Sequence, residues 1–515
     1  MAGKNIIQSV RGVKDILPAE QKYWDFVKKT VNRLFRMSGF LRIDTPILEN
    51  TQLFVRSVGE ATDIVEKEMY TFSSKGSDEK SISLRPEFTA GVCRAYIQHG
   101  MQTWPQPVSL YYLGQVFRHD KPQAGRLREF SQFGCEVFGD GDPVIDAGVI
   151  SLAWEICEKL GLQNLNLEIN SIGCAEDRPR MKRLIAEHYR GRERILCDDC
   201  RKRLKKNPFR LLDCKEERCQ TLIASTPQLI DNLCDDCSNH FRQVLEYLDE
   251  LNIPYSLNPR LVRGLDYYTR TVFEIISPEE KRQATLAAGG RYDLLIGQIG
   301  GNDTPAFGFS GGIERTILEM IRQKVAIEEE PEPVQIFVIS LGDLAKKKCL
   351  KIIKDLRSEG FGITGTLSKE SLKAQLKTAD KIGALFALIL GQREAVTNSI
   401  IIRNMHDGVQ EIVEIDDLSR RLHQMMKEER VEIKSFQIPE TRVERPEVPM
   451  VSEGPKKELV IRSEVEEPEI EEAKKGFFSK QVKKAKPWSK SKKLIKKTKV
   501  RRMSGEKIKV QKRKK

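Results

Sequence analysis

Residues 261–268 place Arg263, Asp266, Tyr267 and Tyr268 around Gly264, ahead of a β-branched and aromatic run that ends in Glu274. A cationic, polar and aromatic cluster is poor core material. It suits the lip of a pocket that holds a small polar molecule beside a phosphate, because a guanidinium fork grips carboxylate or phosphate through two parallel bonds. A second cluster lies at 111–136, which reads as strand, loop, strand. Arg118, Arg126 and Arg128 gather there around a Pro/Gly loop. Side chains alternate along a strand, so Phe130, Gln132, Gly134 and Glu136 share one face. An aromatic, an amide and a carboxylate in one row suit a purine ring and a cationic or amide-bearing ligand. The competing reading is a solvated basic hairpin.

Cysteine usage points elsewhere. Six of the eleven cysteines fall between Cys197 and Cys237. An odd total in a long chain argues for reduced thiols and a metal over a disulfide framework. Two C-x-x-C pairs flank Cys214 and Cys219, a spacing that suits structural zinc. The expected ligands are Cys197, Cys200, Cys234 and Cys237; the alternative is reduced surface thiols. His240 is expected to face solvent or RNA instead of a metal.

These clusters need elements to position them. Apolar spacing predicts a helix over 18–37, followed by a strand over 40–46. Strands are expected at 81–84, 108–112 and 133–138, with helices at 88–98 and 146–160. Residues 175–257 are cysteine-rich, helical and charged, and read as an insertion. Strand patterning returns at 261–276 and 284–288, and a helix over 312–323 closes this α+β domain, 1–326, of antiparallel strands with packed helices. A stiff acidic linker, 327–333, leads to a small α/β domain at 334–428, with strands at 334–340, 384–390 and 399–403 and helices at 344–359 and 415–428.

Charge is unevenly spread along the 515 residues. Residues 474–515 hold 20 Lys/Arg and one acid, while 439–473 hold 11 Glu and five Lys/Arg. Of the net +13, therefore, nothing is left for 1–438. The globular part needs no nucleic acid to balance it, but the tail can take one. Both stretches beyond 438 lack periodicity and read as disordered. The tail interleaves Phe477, Phe478 and Trp488 with lysines, which suits non-specific RNA binding by counterion release and stacking. The alternatives are a solubilising tail, or a ribosome or membrane-surface tether. No apolar run reaches membrane-spanning length and the N-terminus carries no signal-peptide pattern, so a cytoplasmic location is expected.

Seven runs in colinear order carry a resemblance. Residues 111–136 resemble motif 2 of class II aminoacyl-tRNA synthetases, and 308–315 resemble motif 3. Residues 40–49 with 53–60 resemble motif 1. Residues 261–274 are similar to the histidine signature of histidyl-tRNA synthetases, and 11–18, 85–87 and 289–293 also match that family. The resemblance covers 8–425 and is of bacterial type. It implies a class II antiparallel sheet with a helical insertion, an anticodon-binding α/β domain and a homodimer built on motif 1. It also implies that L-histidine, ATP with Mg2+ and tRNA(His) are substrates.

Carried over position by position, the resemblance assigns roles. Arg118 would bridge the amino-acid carboxylate and the α-phosphate, and Arg263 would approach that phosphate from the opposite side. Phe130 would stack on adenine, with Asp120 near its amino group. Arg126 and Arg315 would hold the outer phosphates with magnesium. Glu87, Thr89 and Gln132 would receive the α-ammonium group beside Phe88. Glu136 and Tyr268 would bond the two imidazole nitrogens, with Tyr267 and Tyr292 shaping the pocket. Gln123 would read the extra 5′ guanosine of the tRNA. Asp120, Lys121 and Phe88 depart from the common pattern, where glutamate, arginine and glycine are usual. The rival readings are a silent regulatory paralogue of histidine biosynthesis and a non-catalytic RNA-binding sensor. The first typically lacks the anticodon domain and the intact histidine signature. The second should have lost the phosphate-binding arginines. This chain keeps all of these features.

Overall fold

The helix Pro18–Met37 begins on a proline at its first turn, where a missing N–H costs nothing, and ends ahead of Gly39 with φ of +80°. It buries Trp24, Val27, Val31, Leu34 and Phe35 as one stripe. At roughly 1.5–3 kcal/mol per large side chain, that stripe holds the helix on the sheet. The structure, a computed structural model, describes residues 7–59, 62–73, 81–121, 126–277, 285–327, 335–368 and 371–430. Gln123, residues 328–333 of the linker, and the stretches 439–473 and 474–515 lie outside the described residues.

Eight strands form the main sheet, in the order Leu41–Arg42, Val108–Phe117, Glu129–Phe138, Ala306–Gly312, Thr285–Arg291, Thr269–Ile276, Asn166–Ser171 and Tyr255–Leu257. The six inner strands pair antiparallel and only the two edge pairs are parallel. One core lies under the helices Pro18–Met37, Pro143–Lys159 and Asp235–Glu250. Asp142 caps the second of these by accepting from the Val144 N–H at 2.9 Å. A separate five-stranded sheet spans Ile336–Ser340 to Gln410–Glu414, three parallel strands extended by two antiparallel ones. Helices Asp343–Ser358 and Leu372–Lys381 accompany it.

Several expectations need correction. Residues 261–268 are not strand: the ladder starts at Thr269, and Arg270 has φ of +50°, which breaks regular pairing there. Of 40–46 only Leu41–Arg42 pairs, at the sheet edge. Within 175–257 the helix Asp235–Glu250 is part of the main core, through Phe241, Val244 and Leu248. His240 does not face outward: it is 4% exposed and bonds Asp146 at 2.9 Å. It shares a helical stripe with Cys237, Val244 and Leu248, so its burial follows from spacing.

Candidate active site

Three strands, Glu129–Phe138, Ala306–Gly312 and Thr285–Arg291, floor a cavity of about 560 Å³. Glu87, Phe88, Thr89, Arg118, Asp120, Arg126, Phe130, Gln132, Arg263, Tyr267, Tyr268 and Arg315 all line it. Twelve of the residues expected at one site thus meet at one cavity, although they come from segments up to 228 residues apart. The alternation expected for 130–136 holds.

Glu136 lies beneath Gly308, where any Cβ would fall on its Oε2. Its Oε1 accepts from the Thr89 hydroxyl at 2.7 Å and the Tyr112 hydroxyl at 3.1 Å, and Tyr292 donates to Oε2. Burial pushes this carboxyl up to about 8, while the Tyr292, Thr89 and Tyr112 hydroxyls pull the other way. Glu87 is also raised by burial, against the pull of the Ala90 and Thr89 backbone N–H groups. Glu87 accepts from Ala90 N at 2.9 Å at the start of the helix Thr89–Gln98. Gln132 lines the cavity, and its buried Oε1 has no hydrogen-bond partner among the described residues.

Four arginines ring the other end. Arg118 is anchored by donating from Nε to Pro86 O at 2.9 Å and lies 5.4 Å from the Phe130 ring centre. Arg263 pairs with Glu274 and lies 6.0 Å from the Tyr268 ring. Arg126 pairs with Asp120 at 3.1 Å, and Arg315 donates to Thr285 O at 3.3 Å. Burial lowers the affinity of Arg118 and Arg315 for their protons; Arg118 and Arg126 reinforce this at Arg315, whereas Glu68 and Glu87 oppose it at Arg118, and a guanidinium stays charged in either case. Glu274 and Asp120 offset two of these cations, and the remaining positive charge favours an anionic ligand. The site therefore fits a polyphosphate with a carboxylate beside it.

Tyrosine packing fixes the far wall. Tyr267 sits 4.6 Å from Tyr268 and 5.6 Å from Tyr292, ring centre to ring centre. Phe88 stacks on Tyr112 at 4.3 Å with the Arg85 guanidinium on its ring at 4.0 Å.

Sequence reasoning missed Tyr112 and Glu314. Tyr112 stands opposite Gly134 across the ladder, so only its face of the strand has room for a ring near Glu136; alternation from Phe130 to Glu136 could have shown it. Glu314 accepts from Ser131 N through both oxygens at 2.8 and 3.0 Å, and burial pushes it up to about 7.

The insertion forms another wall, with Asp199, Arg203, Arg210, Asp213, Lys215 and Glu216. Arg203 and Arg210 reach Asp63 at 2.9 and 3.2 Å, and Asn207 donates to Asp266 at 2.8 Å. The four cysteines expected as one zinc set are not together. Cys197 and Cys200 converge with Cys214 and Cys219, while Cys234 and Cys237 converge with Cys174 and Asp177. The two C-x-x-C pairs thus belong to separate clusters.

The family described as histidyl-tRNA synthetase matches residues 12–180 and 209–316, and the anticodon binding domain family matches 335–425. A histidine–tRNA ligase of Dehalococcoides mccartyi is 48% identical over 411 residues, covering 80% of this chain and 98% of that protein. One from Desulforamulus reducens is 45% identical over 408 residues, 79% and 97% of the two chains. The crystal structure of apo S. aureus histidyl-tRNA synthetase superposes with a TM-score of 0.66 at 35% identity, over 81% of this chain and 99% of that one.

Proposed function

The chain belongs to the histidyl-tRNA synthetase family and charges tRNA with histidine, and we propose that it does so in two steps within this cavity. The observation that carries the reading is four arginines ringing one end of the cavity, with the buried Glu136 hydroxyl network beneath its floor at Gly308. In the first step the histidine carboxylate attacks the α-phosphorus of ATP. A carboxyl C–O–P bond forms, the α–β phosphoanhydride breaks and diphosphate leaves. No base is required, because the attacking carboxylate is already ionised. Arg118 and Arg263 stabilise the charge that builds on the phosphorus, and fixed donors of this kind carry most of the rate. Arg126 and Arg315 take the outer phosphates and Phe130 the adenine, with Asp120 near its amino group.

In the second step the terminal ribose hydroxyl of tRNA(His) attacks the acyl carbon and AMP leaves. The small domain at 334–428 reads the anticodon, and Gln123 reads the extra 5′ guanosine. Deleting that guanosine should cut charging sharply; equal charging would sink the assignment.

Gln132 Oε1, Glu87 and Thr89, beside Phe88, receive the α-ammonium. Glu136 and Tyr268 select the imidazole, with Tyr267 and Tyr292 as walls. A ligand lacking two ring nitrogens leaves buried polar groups unpaired, which costs far more than a missing methylene.

Mg2+ accompanies ATP. It needs few protein ligands because phosphates and water supply the rest. Glu314 at the cavity wall fits, since a cation there would restore the ionised form that burial disfavours. Bound Mg2+ would neutralise phosphate charge. Zinc on the insertion's thiols belongs to folding, not to the chemistry.

The chain acts as a homodimer, supported by the exposed Leu41, Ile47 and Leu48 of the motif 1 region. Its setting is the cytoplasm. No described helix is long and apolar enough to cross a membrane. Histidine-dependent ATP–pyrophosphate exchange tests the whole reading, because neither a regulatory paralogue nor a sensor would support it.

A further inference from the structure

Seven of the eleven cysteines belong to two tight groups, and each group has four potential ligands. In the first, Cys197, Cys200, Cys214 and Cys219 are all buried and their sulfurs all lie within 4.8 Å of one another. In the second, the sulfurs of Cys174, Cys234 and Cys237 and a carboxylate oxygen of Asp177 lie equally close. Free buried cysteines behave as small hydrophobes and have no reason to converge. A tetrahedral zinc with sulfurs about 2.3 Å away sets those sulfurs roughly 3.8 Å apart. Cys197 and Cys214 are 3.9 Å apart, and Cys174 and Cys234 are 4.0 Å apart.

Backbone geometry agrees. Cys200 N points at Cys197 Sγ at 3.3 Å, and Cys197 N at Cys219 Sγ at 3.2 Å. N–H groups aimed at sulfur are the outer support that a metal thiolate takes. In the second group Asp177 accepts from Cys234 N at 2.9 Å and Cys174 N at 3.3 Å, and Arg180 holds the same carboxylate at 3.1 Å. Disulfides pair sulfurs two by two, so three thiols and a carboxylate are not a disulfide set.

We propose that the insertion binds two zinc ions, one on Cys197, Cys200, Cys214 and Cys219 and one on Cys174, Asp177, Cys234 and Cys237. They do different jobs. Cys174 follows the strand Asn166–Ser171 and Cys234 precedes the helix Asp235–Glu250. The second ion therefore clamps the neck where the chain leaves the main body and returns. The first ion holds the helix Asp198–Lys206 and the turn Pro208–Leu211 against Cys214 and Cys219. Those elements carry Arg203 and Arg210 to Asp63 and place Asp213 and Lys215 at the cavity. The insertion's own apolar side chains, Ile185, Tyr189, Leu211 and Ile223 among them, form only part of one core cluster, and bound metal adds folding free energy to it. The proposal does not depend on which substrate the cavity takes.

The test is metal content of the full-length chain purified without chelator. Two zinc per chain are expected, with one lost in Cys197→Ser/Cys200→Ser and the other in Cys234→Ser/Cys237→Ser. Should either variant fail to fold, the chain produced with Co2+ decides the matter. Two equivalents of tetrahedral, thiolate-ligated cobalt, both displaced by zinc, support the proposal. A folded, active chain with no zinc, with iron instead, or with a single zinc indifferent to one of the two variants would overturn it.

Discussion

Tyr292 donates its hydroxyl to the buried carboxylate of Glu136, so the strand Glu129–Phe138 and the residue just after Thr285–Arg291 meet beneath the cavity. The residue before it, Arg291, faces the other way and binds Asp146. Two neighbours thus serve two purposes. One anchors the backbone in the core and the other reaches the site.

Glu136 is costly to the free protein. The folded chain keeps a proton on it up to about pH 8, whereas an ordinary glutamate releases it near 4.5. Between those values the folded state binds more protons than the unfolded one, so this group weakens folding as pH rises. Glu136→Gln should raise Tm at pH 8 and leave it almost unchanged near pH 4.5. The same variant should raise KM for histidine by about 100-fold, because a bound imidazolium can draw the ionised form from Glu136 and an amide has no such form. Thermal melts across pH together with exchange kinetics check both. A lower Tm at pH 8 would refute the burial argument.

Asp146 and Arg291 are both fully buried. Burial disfavours the Asp146 charge, but Arg291 and His240 outweigh it and hold the carboxyl below its usual range. Its contribution is therefore present at neutral pH and lost as pH falls below the ordinary aspartate range. Arg291→Met should cost about 3–5 kcal/mol by stranding a buried charge, read as a Tm lower by roughly 10 °C. Asp146→Asn/Arg291→Met should recover part of that loss. A double variant no better than the single one would assign the loss to packing.

Much of this site was legible because strands enforce alternation. Phe130, Gln132 and Glu136 could be placed on one face from spacing alone, whereas only the fold shows that a backbone carbonyl crowds Gly134 and that Glu136 lies against Gly308. The turn over 261–268 was misread, because β-branched residues after it hide where pairing starts. Cys174 and Asp177 precede the run of six cysteines from Cys197 to Cys237, and only the fold returns Cys234 to Cys174 across 60 residues. His240 was legible in principle. Its spacing from Cys237 and Val244 is that of a buried stripe, but a lone histidine among acids reads as polar.

The basic stretch 474–515 should matter for tRNA and not for activation. Ending the chain at 438 removes 20 Lys/Arg from that stretch. Phosphate contacts of this kind weaken steeply with salt. The truncated chain should show a higher KM for tRNA at low salt, a difference that shrinks at high salt, and unchanged pyrophosphate exchange. An unchanged KM at low salt would assign the tail another partner.

Arg263 is paired with Glu274 at the cavity wall, and that pairing sharpens what its loss should do. The guanidinium faces the phosphate end, and its Nε has no partner among the described residues. Arg263→Ala should lower the exchange rate by about 10²–10³, the usual effect of losing one fixed donor to transition-state charge. Histidine binding should change little, because Glu136, Gln132 and Thr89 are untouched. The single variant also frees Glu274, which then presents a negative charge to a polyphosphate. Removing one partner of a buried pair penalises the system through the group left behind. Arg263→Ala/Glu274→Gln should therefore bind ATP more tightly than Arg263→Ala while remaining slow in exchange. Equal ATP affinity in the two would mean that Glu274 is solvated once released; an exchange rate near that of the parent chain would remove Arg263 from the activation step.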